Sequence, residues 1–151
     1  MKQVLEISYN RYTALEELGK EDDALGKEAE EATKNANATY SKFHVGAAVR
    51  LQSGRTLHAS NFESEVYPAG LCAERSLLFY VESNYADDPI EALAIASNPS
   101  ERECYPCGQC RQVIVDVERR QQSPIRVIMS GNGTATVVES AELLLPFTFK
   151  L

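Results

Sequence analysis

The stretch "IEALAIASNPSERECYPCGQCRQVIVDVERRQQSPIRVIMS", residues 90–130, decides the fold. It opens on a short, nearly unbroken apolar run, Ile90 to Ser97, as expected of a strand buried on both faces. It continues into "GQCRQVIVDVERR", where Cys110, Val113, Ile114 and Val117 fall on one helical stripe. "IRVIMS" then returns to a strand pattern. Strands alternating with helices, the strands nearly continuous in apolar residues, imply a sheet covered by helices.

The flanking sequence extends the pattern. Upstream, "LCAERSLLFYVESNY" turns helical after Pro68 and Gly70. Before it, Val45 to Leu51 and Thr56 to Ser60 form two arms of a hairpin around Ser53-Gly54. "TALEELGKEDDALGKEAEEATKNANA" reads as a helix interrupted near Gly19 and firm from about Asp22 to Asn35. Leu25, Ala29, Ala32 and Ala36 give it a small-residue face. "VLEISYNRY" sets Leu5, Ile7 and Tyr9 against Glu6, Ser8 and Asn10, which predicts an N-terminal strand. Downstream, "TATVVES" is a strand and "AELLLPFTFKL" a short helix with a tail. Repeats, linkers and low-complexity segments are absent. The expectation is one three-layer α/β domain over residues 1–151.

Composition narrows the partners. The net charge is −7, and the densest basic stretch, "VERRQQSPIR", holds only three arginines. A nucleic-acid binder needs a basic stripe to neutralise phosphates, so no nucleic-acid partner is expected. No window approaches the ~18 apolar residues of a membrane span, and the first residues lack a signal-peptide core. The expected compartment is the cytoplasm, where clustered cysteines serve as metal ligands or catalytic groups more often than as disulfides.

The cysteines carry the chemistry. Cys107 and Cys110 open a helix behind Pro106, which has no N–H to lose there. Three residues apart in a helical turn, their sulfurs face the same way and can reach one ion. A lone pair of this kind also suits a redox couple. Cys72, at the start of another predicted helix, supplies a third sulfur, and Glu74 follows two residues later. Three protein ligands leave a zinc position open for water, whereas four close it. Glu74 is well placed to reach that water. Cys104 precedes Tyr105-Pro106, where the chain is pushed extended. It is read as a spare buried thiol; a fourth structural ligand and a reversible disulfide with Cys107 are the alternatives. His44 and His58 stand alone on predicted strands and join no ligand spacing.

Cys72-Ala73-Glu74-Arg75 followed by Pro106-Cys107-Gly108-Gln109-Cys110-Arg111-Gln112 resembles the small homotetrameric zinc-dependent cytidine deaminase family. "YSKFHVGAAV" and "NFESEVYPAGLCAER" are similar to two further segments of that family, and the likeness runs from about residue 24 to the end. It implies a three-layer α/β/α sandwich with a mixed central sheet, one Zn²⁺ per subunit on Cys72, Cys107 and Cys110, and Glu74 as the proton shuttle. It implies a nucleoside substrate held by Phe43, Asn61, Glu63, Tyr67, Ala73 and Phe149. Of these, Tyr67 and Phe149 would be shared between subunits of a homotetramer. It gives Arg75 the role of donating to cysteine sulfurs, and the charge of three thiolates on one Zn²⁺, −1 in sum, independently favours such a cation.

Residues 1–22 form a strand and helix extension that the likeness leaves unexplained. Two positions depart from the family: Glu65 replaces a small residue near the sugar contacts, and Tyr105 replaces a small residue ahead of Pro106. The expected reaction is hydrolytic deamination of cytidine and deoxycytidine. The rivals are a deaminase of another aminopyrimidine, such as a blasticidin-S-type nucleoside, and a structural zinc protein.

Overall fold

The computed structural model describes residues 1–151. Six strands form one mixed sheet: β1 (Asn10–Tyr12), β2 (His44–Leu51), β3 (Thr56–Ser60), β4 (Ile90–Asn98), β5 (Arg126–Gly131) and β6 (Thr134–Val138), in the order β1-β6-β5-β4-β2-β3. The helices are α1 (Lys20–Ala32), α2 (Ala73–Asn84) and α3 (Gly108–Gln121). β4 and β5 run parallel, joined across the sheet by α3, and every other pairing is antiparallel.

Alternation along the strands builds two unlike faces. On β4, Leu93 and Ile95 point into the larger core with Leu77, Leu78 and Val81 of α2 and Ile114, Val115 and Val117 of α3. Ala92, Ala94 and Ala96 face the opposite way, toward Leu25 and Ala29 of α1. The three-layer sandwich thus has bulky aliphatics on one side and alanines on the other. The alanine face lets α1 sit unusually near the sheet. A Cβ at Gly46 on β2 would lie 1.9 Å from the Ala29 carbonyl oxygen and 2.9 Å from the Thr33 amide nitrogen.

Polar contacts fix α1 in register. Buried Asp22 lies 3.0 Å from Arg50 on β2 and 2.8 Å from Arg126 on β5. The basic stretch is consumed in the same way: Arg119 pairs with Glu142, Arg120 with Glu82, and Arg126 also with Glu139.

The N-terminal strand is shorter than its alternating pattern predicts. It spans Asn10–Tyr12, and Leu5, Ile7 and Tyr9 are exposed. β6 sets the limit: with Asn10 opposite Val137, only Val138 of that strand remains for residues further upstream. Leu5 and Ile7 lie instead beside Leu143 and Pro146. The interruption at Gly19 is real, with a 3-10 turn (Leu15–Leu18) before it and φ +87° at the glycine. Ala36 lies beyond α1, half-buried, and on α3 Val115 is buried where Val113 is only partly so.

Gly46→Ala forces backbone of α1 away from β2. The expected loss is about 2–3 kcal/mol, the upper end of overpacking effects, read as a lower urea midpoint at unchanged slope.

Candidate active site

Two helices begin at the same place. Cys72 caps α2 and Cys107 caps α3, both in extended conformation, and Cys110 lies in the first turn of α3. Neither side chain makes a capping hydrogen bond to the backbone of its own helix, which leaves both sulfurs available to a shared partner. The Sγ atoms of Cys72, Cys107 and Cys110 lie within 4.8 Å of one another, and Cys72 and Cys107 are 3.8 Å apart. Zn–S bonds of ~2.3 Å in a tetrahedron require sulfurs ~3.8 Å apart, so the trio fits a zinc ion. Both helix N-termini add positive potential for the thiolates.

The surroundings favour charge on the Cys72 sulfur. Cys72 falls to about 5 through hydrogen bonding from Cys110, with further help from Arg75 and Cys107. Arg75 Nη2 donates to Cys72 Sγ at 3.3 Å. Cys110 is pushed up in turn by its pairing with Cys72 and by burial. Glu74 is 4% exposed and accepts from Cys110 Sγ at 3.4 Å. Burial pushes its carboxyl above the usual range. Ala73 between them is fully buried.

Cys104 stands outside the trio. Its amide donates to the Ser130 carbonyl at 3.0 Å, and burial pushes its thiol up to about 12. His44 turns to the carbonyls of Lys42 and Asn98, and His58 pairs with Glu28 at 3.0 Å.

Two cavities are lined by residues of the candidate site. One of about 540 Å³ is lined by Asn61, Glu63, Tyr67, Cys72 and Arg75 among others. Another of about 560 Å³ has Phe43, Cys104 and Tyr105 in its wall. Glu63 Oε1 accepts from the amides of Tyr40 and Ser41 at 3.0 and 3.1 Å, which holds its carboxyl below the usual range. Asn61 accepts from Val45 N and donates to the Phe43 carbonyl. These two side chains therefore shape the 40–45 segment as well as facing the cavity. Tyr67 is 80% exposed and meets Tyr40 edge-on. Phe149 is exposed on the tail, its carbonyl accepting from Gln112, and lines neither cavity.

Arg111, part of the quoted motif but given no role by sequence, donates from Nε to the Pro106 carbonyl at 2.8 Å and from Nη1 to the Leu144 carbonyl at 3.0 Å. It ties the ligand loop to the C-terminal 3-10 turn (Ala141–Leu144). Its position four residues after Cys107 was the available signal.

Residues 19–123 match the family model described as the cytidine and deoxycytidylate deaminase zinc-binding region. The chain is 38% identical over 127 residues to a cytidine deaminase of Sporosarcina psychrophila, covering 84% of this chain and 90% of that one. The chain belongs to this deaminase family. The crystal structure of the cytidine deaminase from Burkholderia pseudomallei is similar, with a TM-score of 0.73 at 34% identity, covering 83% of this chain and 97% of that one. A blasticidin-S deaminase from Bacillus cereus is 28% identical over 128 residues, covering 80% of this chain and 88% of that one. The family match starts at residue 19, so β1 and the turn after it lie outside it.

Zinc counted after dialysis separates the cysteines: Cys104→Ser is expected to keep about one ion per chain and Cys110→Ser to lose it. Arg75→Gln is expected to stay folded and bind zinc about 10–100-fold more weakly in chelator competition.

Proposed function

We propose that the protein catalyses hydrolytic deamination of cytidine and 2'-deoxycytidine, giving the corresponding uridine and ammonia. The observation that carries this reading is the buried Glu74 carboxyl, in hydrogen-bond contact with one of three clustered cysteines that fit a zinc ion. When bound by Cys72, Cys107 and Cys110, zinc supplies an activated water, since three protein ligands leave one position for it.

Glu74 would take a proton from the attacking water as its oxygen adds to the ring carbon bearing the amino group. It passes the proton to the adjacent ring nitrogen, then carries another to the departing amine. One water enters and one ammonia leaves, and the carboxyl returns to its starting state. Arg75 offsets the excess negative charge of the thiolates. Its contact with Cys72 supports that role.

For the substrate, the remaining Glu63 oxygen and the Asn61 amide are read as partners of the sugar hydroxyls, which an acceptor and an amide can satisfy together. Phe43 stacks on the pyrimidine, and Ala73 packs at the floor beside Glu74. Tyr67 and Phe149 serve a neighbouring subunit of a homotetramer, a reading supported by their exposure. The working unit is one domain over residues 1–151, with residues 1–22 as its extension.

No helix is long and apolar enough to cross a membrane. Zinc-binding thiolates require a reducing compartment, which favours the cytoplasm. The second reading, a deaminase of a blasticidin-S-type nucleoside, rests on Glu65 and on the 28% identical relative. The greater likeness to cytidine deaminases favours the first.

The test follows nucleoside absorbance over a panel of cytidine, deoxycytidine and blasticidin S. Wild-type protein is expected to deaminate the first two, and Glu74→Gln to retain zinc while losing about 10²–10⁴-fold in kcat. Zinc-loaded wild-type protein that turns over none of the panel contradicts the reading.

A further inference from the structure

The ligand loop carries an acid that the mechanism does not use. Glu103 is 6% exposed, four residues before Cys107. Its carboxylate accepts from Tyr105 Oη at 2.9 Å, Thr134 Oγ1 at 2.7 Å and Thr136 Oγ1 at 2.6 Å, and Arg11 Nη2 lies at 3.8 Å. Burial alone would raise its pKa, yet these hydroxyl donors hold it below the usual range.

The backbone around Tyr105 is pinned independently. Cys104 N donates to Ser130 O, and Pro106 O accepts from Arg111. Gly131 admits the loop against β5, where a Cβ would lie 2.0 Å from the Arg102 carbonyl oxygen. The bond from Glu103 therefore fixes the ring of Tyr105 more than the path of the chain. That ring is half-exposed and shared by two cavities. One contains Phe43 and Cys104; the other, of about 500 Å³, contains Tyr9, Arg11 and Thr136. Arg11, Thr134 and Thr136 all lie outside residues 19–123, the region matched by the family model.

We propose that Glu103 is a specificity-determining residue acting through Tyr105: the buried carboxylate fixes the phenol ring as a wall of the cavity beside Phe43 and so limits which pyrimidine rings enter. The inference rests on the nucleoside reading above. A bond between two side chains, one buried and one lining a cavity, changes what fits without changing how zinc is held.

The experiment uses the zinc-loaded, full-length protein and the variants Tyr105→Phe, Glu103→Gln and their combination. The ratio of kcat/KM for cytidine to that for 5-methylcytidine and for N4-methylcytidine is measured, with uridine affinity by equilibrium titration, zinc affinity by chelator competition, and Tm. At least one ratio is expected to shift about threefold or more, in the same direction in both single variants, with the combination no larger than the larger single effect. Zinc affinity stays within about twofold.

Tyr105→Phe removes one oxygen from a half-exposed ring, so it keeps the test alive if Glu103→Gln unfolds. Ratios and uridine affinity both unmoved in folded Tyr105→Phe overturn the inference alone, as does full additivity of the two variants. If wild-type protein binds uridine but deaminates nothing, the deaminase reading falls, and an unchanged uridine affinity in Tyr105→Phe then overturns this inference too. Wild-type protein that neither binds uridine nor turns over any nucleoside overturns both.

Discussion

Three sulfurs on two helix starts form the contact on which the rest of the site depends. Cys72 and Cys107 end extended segments and begin helices, so their side chains project from first turns, where backbone N–H groups lack intrahelical partners. Positive potential from both helices converges on one point. Arg75 adds a full charge beside Cys72. The sheet enforces the convergence: α2 and α3 both pack on its bulky aliphatic face, and their apolar stripes leave them one arrangement.

The same geometry explains what is excluded. Tyr105-Pro106 keeps the preceding residues extended, and the Cys104 amide is committed to β5. Its sulfur is buried outside the trio and held as a neutral thiol. A carboxyl, Glu74, occupies the buried flank of the three cysteines instead. An open metal position beside a desolvated acid is what a hydrolytic proton transfer needs.

Much of this was legible in the sequence, because the informative features are local. The strand and helix periods along 90–130, the proline ahead of Cys107 and the two-residue step from Cys72 to Glu74 all sit within a few positions of one another. Features built from distant partners were not. Nothing near Glu103 announces Thr134 and Thr136, which enter only when β6 pairs with β5. The alternation of residues 4–12 promised a full strand, but strand length is set by the partner, and β6 is short. Asn61 was read as facing a ligand, whereas the fold also makes it a bracket for Phe43 and Val45. The sequence places Gly46 in a strand arm, and only the fold brings α1 within contact of its backbone.

The central claim is that three of the four cysteines bind zinc and leave one position for chemistry. X-ray absorption at the zinc edge of the purified, metal-loaded protein tests it most directly. The account predicts about three sulfur scatterers at ~2.3 Å and a single oxygen or nitrogen neighbour. A shell of four sulfurs would bring Cys104 into the site, close it, and contradict the account.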